Sequence, residues 1–568
     1  MNVMIFRLNR SAVVGVVLAT LTHLAAGAEA APPKLVLQIT VDQLRGDQPT
    51  RYLDRMGDGG FRWLLENGAV FANANHGHAN TETIVGHATL ATGAHPSVHG
   101  MIGNVWFDRQ SGALTYNIED PRYQLVGEGG DVDRKTEIDP TQRAARSEGR
   151  SPAAILCSTF SDELALRTAG AAKVFGVSVK DRGAVSMAGH AGKAFWFSKS
   201  KGQFVTSDFY YEEYPDWVTA WNAKDMAGSY GNKTWDLMHD RDSYLFGDRD
   251  DQKWETTMLP FGRLFPHHYG PADGKRFTTF LTLSPAGDEL VLDFAKALIE
   301  SEAIGADEVT DYLSVSFSST DYVGHLFGPS SLEAEDNLLR LDRTLADLLA
   351  FVDEKVGLDQ TIIAFSADHG GPEAPADLNQ YGFAADYVRP ESWEKEGGFD
   401  ALKKRFGIGE ELMLEYAHPY VYLNRPLIEE KGIDQGEIER AFADQLIKFP
   451  GVALAISSTD LSRGEVADTQ LTRLVLNNHN PKRSGDVFVV FEPNLFINDF
   501  DGLVVASTHG SPWRYDTFVP VIFAGPGIRA RKIYREIETV DVATTLSALL
   551  DLKPPSGSQG KVLVELFE

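Results

Sequence analysis

Short apolar runs recur along the chain and alternate with stretches of helical periodicity. The runs are rich in β-branched and aromatic residues, as buried strands are. They cover residues 34–40, 173–179, 312–317, 361–365, 487–491 and 518–524. Strands that alternate with helices favour a parallel sheet with helices on both faces. The pattern therefore predicts an α/β fold with a largely parallel central sheet flanked by helices.

Two segments show a clear helical pattern. After Pro329, Ser330 and Glu333 fit a capping box. Apolar residues then recur at helical spacing, at Leu338, Leu341, Leu345, Leu348 and Val352. Near the C-terminus, residues 540–550 predict a second amphipathic helix, which ends before a Lys-Pro-Pro sequence. We expect the leucines of the first helix to belong to the core.

Two regions interrupt the alternation of strands and helices. Residues 194–276 are rich in aromatic residues, Gly and Asp, and residues 372–486 mix helical and charged patterns. We interpret both as insertions that cap the functional edge of the sheet. The remainder, within residues 31–568, predicts a single domain.

The first thirty residues predict a secretory signal peptide. Arg7 and Arg10 precede an apolar run over residues 12–26, and a small-residue cleavage site ends at Ala30. A membrane anchor is the weaker interpretation, because polar residues interrupt a run already shorter than the ~20 residues that a span needs. We expect cleavage near Ala30 and a periplasmic or secreted protein without a membrane span.

Composition narrows the possible partners. The net charge of −27 offers no basic surface for nucleic acid. Cys157 is the single cysteine, so no internal disulfide can form, and stability has to come from a core and from bound metals. The sequence does not determine the oligomeric state, and a monomer is compatible with it.

Polar residues follow several predicted strands, at the ends where a doubly wound sheet binds its ligands. They are Asp42, Asp321, His325, Asp368, His369 and, in a loop before the last strand, His509. Asp321 and His325 are four residues apart, so one helical turn places both on one face. Asp368 and His369 are adjacent and need the turn that the following glycines allow. Three carboxylates and three imidazoles form a mixed oxygen and nitrogen ligand set that suits zinc.

The segment of residues 80–93 combines hydroxyls and glycines between polar loops. Thr83 is the candidate nucleophile, and Thr81 is its rival. Such clusters also mark turns and helix caps, so the segment gains its weight from the metal ligands elsewhere. We interpret five histidines in and around it as structural residues or as supports of the ligands: His76, His78, His87, His95 and His99.

Two cations follow the strand of residues 173–179. If the chain stays extended there, Lys180 and Arg182 share a face and Asp181 points the other way. Aimed at a metal site, the two cations suggest a tetrahedral dianion as ligand. The alternative is an edge strand protected by exposed charges. Asn104 could donate its amide to the same anion.

These residues, in this order, resemble the alkaline phosphatase superfamily and, within it, the threonine-nucleophile, phosphate-irrepressible alkaline phosphatases of the bacterial periplasm. The likeness runs from about Lys34 to the C-terminus. It rests on Val-Asp-Gln-Leu-Arg at 41–45, Thr-Ile-Val-Gly-His at 83–87, Gly-Asn at 103–104, Ser-Val-Lys-Asp-Arg at 178–182, Ser-Thr-Asp at 319–321 with Gly-His at 324–325, Ala-Asp-His-Gly at 367–370, Pro-Lys-Arg-Ser-Gly-Asp at 481–486 and Thr-His-Gly-Ser-Pro at 508–512.

The resemblance implies a phosphomonoesterase that uses two zinc ions and releases inorganic phosphate through a phosphothreonine intermediate. It assigns one ion to Asp321, His325 and His509, and the other to Asp42, Asp368 and His369. Thr83 would bridge toward the second ion as the attacking alkoxide. The resemblance also implies that the phosphoryl oxygens contact Asn104, Lys180 and Arg182. Glu82 does not fit the resemblance, because we expect an uncharged residue beside the nucleophile.

Other activities compete with this interpretation. A phosphodiesterase or nucleotide pyrophosphatase on the same scaffold needs room for a second ester group. Two cations at the phosphoryl site, Lys180 and Arg182, argue against such an enzyme. A sulfatase needs a Cys/Ser-x-Pro-x-Arg segment, and the residues after Cys157 lack that proline and arginine. A catalytically silent periplasmic protein that binds phosphate or metal would not need Thr83.

Overall fold

The central sheet has ten strands in the computed structural model, which describes residues 32–127, 129–390, 393, 397–409, 411–500 and 503–568. Nine of them follow one another across the sheet in the order Arg531–Ile533, Ala69–Asn75, Phe518–Ala524, Thr361–Ser366, Leu35–Val41, Asp311–Phe317, Val174–Ser178, Lys193–Ser198 and Gln203–Val205. The tenth strand, Ile537–Glu538, also pairs with Ala69–Asn75. Only Phe518–Ala524 and Gln203–Val205 run antiparallel to their neighbours among these described strands. The prediction of a largely parallel sheet is confirmed.

The central strand Leu35–Val41 shows that helices cover both faces of the sheet. Its odd-numbered side chains pack into a core cluster that includes the long helix Leu332–Lys355. Val36 packs into a second cluster, on the other face, that includes the helix Asp541–Leu549. A strand buried on both faces reads as a continuous apolar run, which is the pattern that identified it.

The chain from Pro33 to Glu568 clusters as one unit. The helices of the described residues are, in chain order, Gln48–Arg51, Phe61–Asn67, Thr83–Thr92, Pro96–His99, Pro140–Arg143, Phe160–Arg167, Asp181–Ala188, Asp216–Asn222, Phe277–Thr282, Pro285–Ser301, Ser319–Phe327, Leu332–Lys355, Pro375–Gln380, Gly397–Phe406, Arg425–Glu430, Gln435–Leu446, Ser458–Arg463, Gln470–Asn478, Arg514–Thr517 and Asp541–Leu549. Short strand pairs are formed by Val105–Asp108 with Ala113–Tyr116, Thr234–Trp235 with His267–His268, Asp386–Tyr387 with Leu495–Phe496, and Asp499–Phe500 with Leu503–Val504.

A second sheet of four antiparallel strands stands apart from the central one. Its order is Met413–Ala417, Tyr420–Leu423, Val487–Phe491, Val452–Ser457. It occupies much of the region predicted as the second insertion, and the apolar run 487–491 belongs to it and not to the central sheet. At the first predicted insertion, Lys193–Ser198 and Gln203–Val205 are strands of the central sheet, so the predicted start near residue 194 falls inside that sheet.

Two local predictions need correction. The helix Leu332–Lys355 is capped by Ser331, whose side chain accepts a hydrogen bond from the backbone N–H of Ala334. The prediction of a capping box at Ser330 was therefore wrong by one residue. The strand Val174–Ser178 does not continue through Arg182, because a helix begins at Asp181. The Asp181 carboxylate lies in the first turn of that helix, where it stabilises the helix dipole and accepts from the backbone N–H of Arg182 at 2.8 Å.

The predicted signal peptide, residues 1–30, lies outside the described residues. Within the part of the chain that the structure describes, no helix is long and apolar enough to cross a bilayer.

Four neighbouring parallel strands end side by side. Their register aligns the hydroxyls of Ser366, Thr40, Ser316 and Ser178 in one row across the sheet. Parallel strands share a direction, so the residues that follow this row meet at one edge. Those residues include Asp368, Asp42, Asp321 and Lys180.

Asp486, the last residue of the Pro-Lys-Arg-Ser-Gly-Asp motif, anchors the second sheet. It is fully buried and accepts hydrogen bonds from the backbone N–H of Leu423 at 2.6 Å, from Arg425 Nε at 2.6 Å and from Arg109 Nη2 at 3.1 Å. The motif is therefore explained by a structural role.

We expect Asp486→Asn to lower the free energy of unfolding by about 2 kcal/mol, because it weakens the hydrogen bonds from the buried backbone N–H of Leu423 and from the partly exposed Arg109 and Arg425. Urea denaturation followed by circular dichroism measures the loss. Asp468→Asn is the matched control, since Asp468 forms an exposed pair with Arg473 and should barely change the midpoint. Equal midpoints for the two variants would contradict the role of Asp486.

Candidate metal centre

Two groups of ligand-type side chains lie at this edge of the sheet. One consists of Asp321, His325 and His509, and the other of Asp42, Asp368 and His369. Within each group the ligand atoms lie within 4.8 Å of one another. The two groups coincide with the two ligand sets that the resemblance implies.

The first group is built on one helical turn and one loop. The helix Ser319–Phe327 places Asp321 and His325 on one face, and Asp321 Oδ1 is 3.2 Å from His325 Nε2. The loop before the strand Phe518–Ala524 brings His509 Nε2 to 3.4 Å from the same oxygen. Two imidazole nitrogens thus face one carboxylate oxygen, as ligands of a shared ion do.

The second group is fully buried. His369 Nε2 lies 3.4 Å from Asp42 Oδ1 and 3.6 Å from Asp368 Oδ2. Among the described residues, Asp42 Oδ1 and His369 Nε2 have no hydrogen-bond partner. Buried polar atoms without partners are rare and call for an ion or another ligand. Asp42 Oδ1 and His369 Nε2 lie 3.4 Å apart, so one bound cation would contact both atoms.

The ring orientation of the three histidines supports the same conclusion. In each ring Nδ1 lies within hydrogen-bonding distance of a backbone carbonyl: Ser507 at 2.8 Å for His325, Gly370 at 2.9 Å for His369, and Thr81 at 2.7 Å for His509. Donation from Nδ1 leaves the lone pair on Nε2, where a metal would bind. Mixed nitrogen and oxygen donors in this state fit zinc.

Lys180 lies between the two groups. Its Nζ contacts Asp321 and is 2.7 Å from Asp42 Oδ2. Burial alone would lower the pKa of Lys180, but the carboxylates of Asp321 and Asp42 outweigh it and raise that pKa. Burial alone would likewise raise the pKa of Asp42, yet the Lys180 ammonium holds it well below its usual range. The carboxylates are therefore ionised and ready to bind a cation.

Thr83 is the first residue of the helix Thr83–Thr92 and is buried. Its Oγ1 lies 3.4 Å from Arg182 Nη2, at a helix N-terminus, where the backbone favours negative charge. A side chain on Gly86 would collide with the backbone of Asp368, so glycine lets this helix lie against the second ligand group. The rival Thr81 donates its hydroxyl to the carbonyl of Ser511 at 2.9 Å. The geometry therefore favours Thr83.

Arg182 and Asn104 line a cavity together with Thr83. Asp321, His325 and His509 line the same cavity, which we call the threonine cavity. The side-chain oxygen of Asn104 accepts from the backbone N–H of Ile84 at 3.1 Å, so its Nδ2 is the donor that remains for a ligand. The cavity thus presents donors beside the hydroxyl of Thr83.

The sequence reasoning missed two residues of this site. Gln43 donates from Nε2 to Asp321 at 3.1 Å and from its backbone N–H to Asp368 at 3.1 Å, so it connects the two ligand groups. Asp139 accepts from Arg182 Nη1 at 2.9 Å and orients the guanidinium. Gln43 stands in the quoted Val-Asp-Gln-Leu-Arg segment and could have been found there, whereas no pattern marks Asp139.

Glu82 does not point into solvent. It is partly buried, and its carboxylate accepts from the backbone N–H of Asn104. Burial raises the pKa of Glu82 to about 7, against the opposing effect of the hydrogen bond from Asn104. The unexpected carboxylate therefore supports the loop that carries Asn104 and also lines the threonine cavity.

Asn478 ties the segments that carry Thr83 and Asn104 to each other. Its side-chain oxygen accepts from the backbone N–H of Asn80 at 3.1 Å, and its Nδ2 donates to the carbonyl of Ile102 at 3.2 Å. Asn80 Nδ2 donates to the same carbonyl at 2.9 Å. Two buried amides thus fix the distance between the threonine and the asparagine.

The histidines near Thr83 stand outside both ligand groups. His87 contacts the carbonyl of Thr83 and the hydroxyl of Ser316, each at 2.9 Å. His76 lies between the carbonyl of Ala367 at 3.1 Å and the hydroxyl of Thr539 at 2.8 Å. The Ser316 contact of His87 joins the threonine helix to the sheet, and His87 Nδ1 also lies 3.1 Å from Asp368 Oδ2, so this ring supports a carboxylate of the second group.

The chain matches one family model, described as type I phosphodiesterase/nucleotide pyrophosphatase, over residues 36–512. It is 33% identical over 540 residues to a Myroides odoratus protein named calcium-transporting ATPase, covering 94% of this chain and 95% of that one. It is 32% identical over 548 residues to alkaline phosphatase PafA of Elizabethkingia meningoseptica, covering 94% of each chain. The crystal structure of wild-type PafA superposes with a TM-score of 0.85 at 31% identity, covering 94% of this chain and 99% of that chain.

We expect the metal-free protein to take up two equivalents of Zn²⁺, and His325→Ala and His369→Ala each to retain one, because each variant removes a donor from one group. Dialysis against Zn²⁺ followed by elemental analysis measures the stoichiometry. His190→Ala is the control and should keep both equivalents, since His190 pairs with Asp162 outside the two groups. An unchanged stoichiometry in His325→Ala would refute the first group.

Proposed function

This chain belongs to the type I phosphodiesterase/nucleotide pyrophosphatase family of the alkaline phosphatase superfamily, and from that premise we propose that it is a zinc-dependent phosphomonoesterase with Thr83 as its nucleophile. Its phosphatase activity follows from similarity to PafA over nearly the whole of both chains. Zinc, the phosphothreonine intermediate and the roles of the individual residues are the proposal. The observation that carries it is the Thr83 hydroxyl beside Arg182, in a cavity lined by the first ligand group.

Each residue of the site has its own role in the proposed reaction. Thr83 Oγ1 attacks phosphorus and forms the phosphothreonine ester as the ester oxygen of the substrate leaves. The hydroxyl proton passes to solvent, and the departing alkoxide takes up a proton from solvent to become the alcohol. Water then attacks phosphorus from the opposite side, which restores the hydroxyl and releases inorganic phosphate. Arg182 and Asn104 donate hydrogen bonds to the phosphoryl oxygens throughout. Zinc ions held by the two groups would lower the pKa of the Thr83 hydroxyl and stabilise negative charge on the leaving oxygen.

The family description makes a phosphodiesterase the second candidate. A monoester presents a dianionic phosphoryl group and a diester a monoanionic one, so the charge of Arg182 and Lys180 favours the monoester. Both cations are buried, where charges interact strongly. ATP also ends in such a phosphoryl group, so the ATPase in the name of the Myroides relative falls within the same chemistry.

Export of the enzyme is part of the proposal. The charged start, the apolar run and the small-residue site before Ala30 support a periplasmic or secreted phosphatase of small phosphate monoesters.

We expect Thr83→Ala to lower turnover of an aryl phosphate monoester by at least about 1,000-fold, because no other hydroxyl takes the place of the nucleophile. Steady-state assays and the zinc content of the same sample measure the effect, and the zinc content should not change. Thr81→Ala is the control and should keep most of the activity, since its hydroxyl binds Ser511. Full activity of Thr83→Ala would exclude this nucleophile.

We expect Arg182→Ala and Lys180→Ala to lose about 100-fold more activity on an aryl phosphate monoester than on its methyl diester, because only the monoester carries the second negative charge. The ratio of kcat/KM values for the two substrates measures the preference. The unaltered enzyme should prefer the monoester. Equal losses on both esters would contradict the assigned role of the two cations.

A further inference from the structure

A second cavity adjoins the threonine cavity. Glu82, Thr508 and His509 line both cavities, so the two meet beside a histidine of the first ligand group. The steps of the proposed reaction make no use of this space. It therefore offers room for the part of a substrate that lies beyond its phosphoryl group.

Aromatic rings form much of the wall of this second cavity, which we call the aromatic cavity. They belong to Phe488, Phe491, Phe496 and Tyr515. The first two lie on the strand Val487–Phe491 of the second sheet, and the ring of His418 stacks on Phe491 at a centroid distance of 5.9 Å. Aromatic faces carry partial negative charge and attract cations.

The acidic groups of the aromatic cavity are Glu82 and Asp516, and no lysine or arginine is among its lining residues in the described part of the chain. Burial raises the pKa of each carboxyl to about 7, so a bound cation would favour their ionised forms. His418 Nε2 faces the carbonyl of Gly510 at 2.8 Å, its Nδ1 faces the hydroxyl of Tyr416 at 3.0 Å, and burial lowers its pKa. The imidazole is therefore neutral and does not offset the carboxylates.

One of the two carboxylate oxygens of Asp516 lacks a hydrogen-bond partner among the described residues. One carboxylate oxygen, Oδ2, accepts from the backbone N–H of Ser511 at 2.9 Å and from its hydroxyl at 2.5 Å. The other, Oδ1, is buried and has no hydrogen-bond partner among the described residues. Asp516 is 1% exposed, and a buried carboxylate oxygen without a partner is costly unless a ligand supplies one.

We propose that the aromatic cavity binds the alcohol part of the substrate and selects phosphate monoesters whose alcohol carries a small ammonium group. Aromatic faces together with carboxylates form the usual surroundings of a bound ammonium ion. The assignment rests on the proposed function, because it places the leaving oxygen beside His509, where the two cavities meet. An anionic alcohol would face repulsion from Glu82 and Asp516.

Choline phosphate and 3,3-dimethylbutyl phosphate test the proposal, since they differ only by a nitrogen or a carbon at the branched centre. We expect kcat/KM of the unaltered enzyme to be about tenfold higher for choline phosphate, because only its group is charged. The difference should lie mainly in KM. 4-Nitrophenyl phosphate serves as the reference substrate for the phosphatase reaction itself.

Two variants locate the selectivity in the aromatic cavity. We expect Asp516→Asn to bring the ratio of the two kcat/KM values close to one. Because that variant can also disturb the loop around Ser511, Phe496→Leu provides a second test and should lower the ratio several-fold. Tyr381→Leu is the control, since Tyr381 is an exposed aromatic residue outside the cavity and its loss should leave the ratio unchanged.

The outcomes separate the two proposals. If 4-nitrophenyl phosphate is hydrolysed and the two test esters react equally, the ammonium site is refuted and the phosphatase remains. If no ester is hydrolysed, the proposed function fails, and calorimetric titration with the two test esters decides the cavity. Tighter binding of choline phosphate then supports the site, and equal affinity overturns it.

Discussion

The burial of three carboxylates at one edge of the sheet is the constraint on which the site depends. Asp42, Asp321 and Asp368 repel one another, and Lys180 supplies a single ammonium among them. The imbalance shows at Asp368, where burial and the charge of Asp42 raise the pKa. Burial alone would lower the pKa of His369, but the carboxylates of Asp368 and Asp42 raise it to about 9, so a proton on this ring offsets part of the imbalance. Divalent cations held by the two groups would displace that proton and neutralise the carboxylates, which makes the edge of the sheet and its ions one electrostatic unit.

The threonine helix is held against this unit from three sides. Gly86 lets it touch the loop of Asp368, His87 joins it to the sheet, and Asn478 fixes the segments before and after it. Asn478 ends the helix that precedes the last strand of the second sheet in the chain, and Arg483 of the same region donates to the carbonyl of Gly100. The second sheet region therefore helps to position the nucleophile, although it stands apart from the central sheet.

The sequence predicted the parts of the site that follow from regular structure. Asp42, Asp321 and Asp368 were recognisable because each follows an apolar strand, and parallel strands end at one edge. His325 was recognisable because four residues make one helical turn. Asp139 was not, because its role depends on Arg182, a partner 43 residues away that no local pattern connects to it. The extended path predicted through Arg182 was wrong, since a two-residue spacing alone cannot distinguish a strand from the start of a helix.

The two cavities give the site opposite charges on its two sides. Arg182 and Thr83, at the N-terminus of its helix, line the threonine cavity, whereas Glu82 and Asp516 line the aromatic cavity. A substrate with a negative and a positive end would be aligned by this field before any contact is complete, because buried charges act over several ångströms. Glu82 then has a physical reason to stand beside a nucleophile that attacks a dianion. Its carboxylate accepts from the backbone N–H of Asn104 and lies where the two cavities meet, so an ammonium group on the alcohol would favour its ionised form.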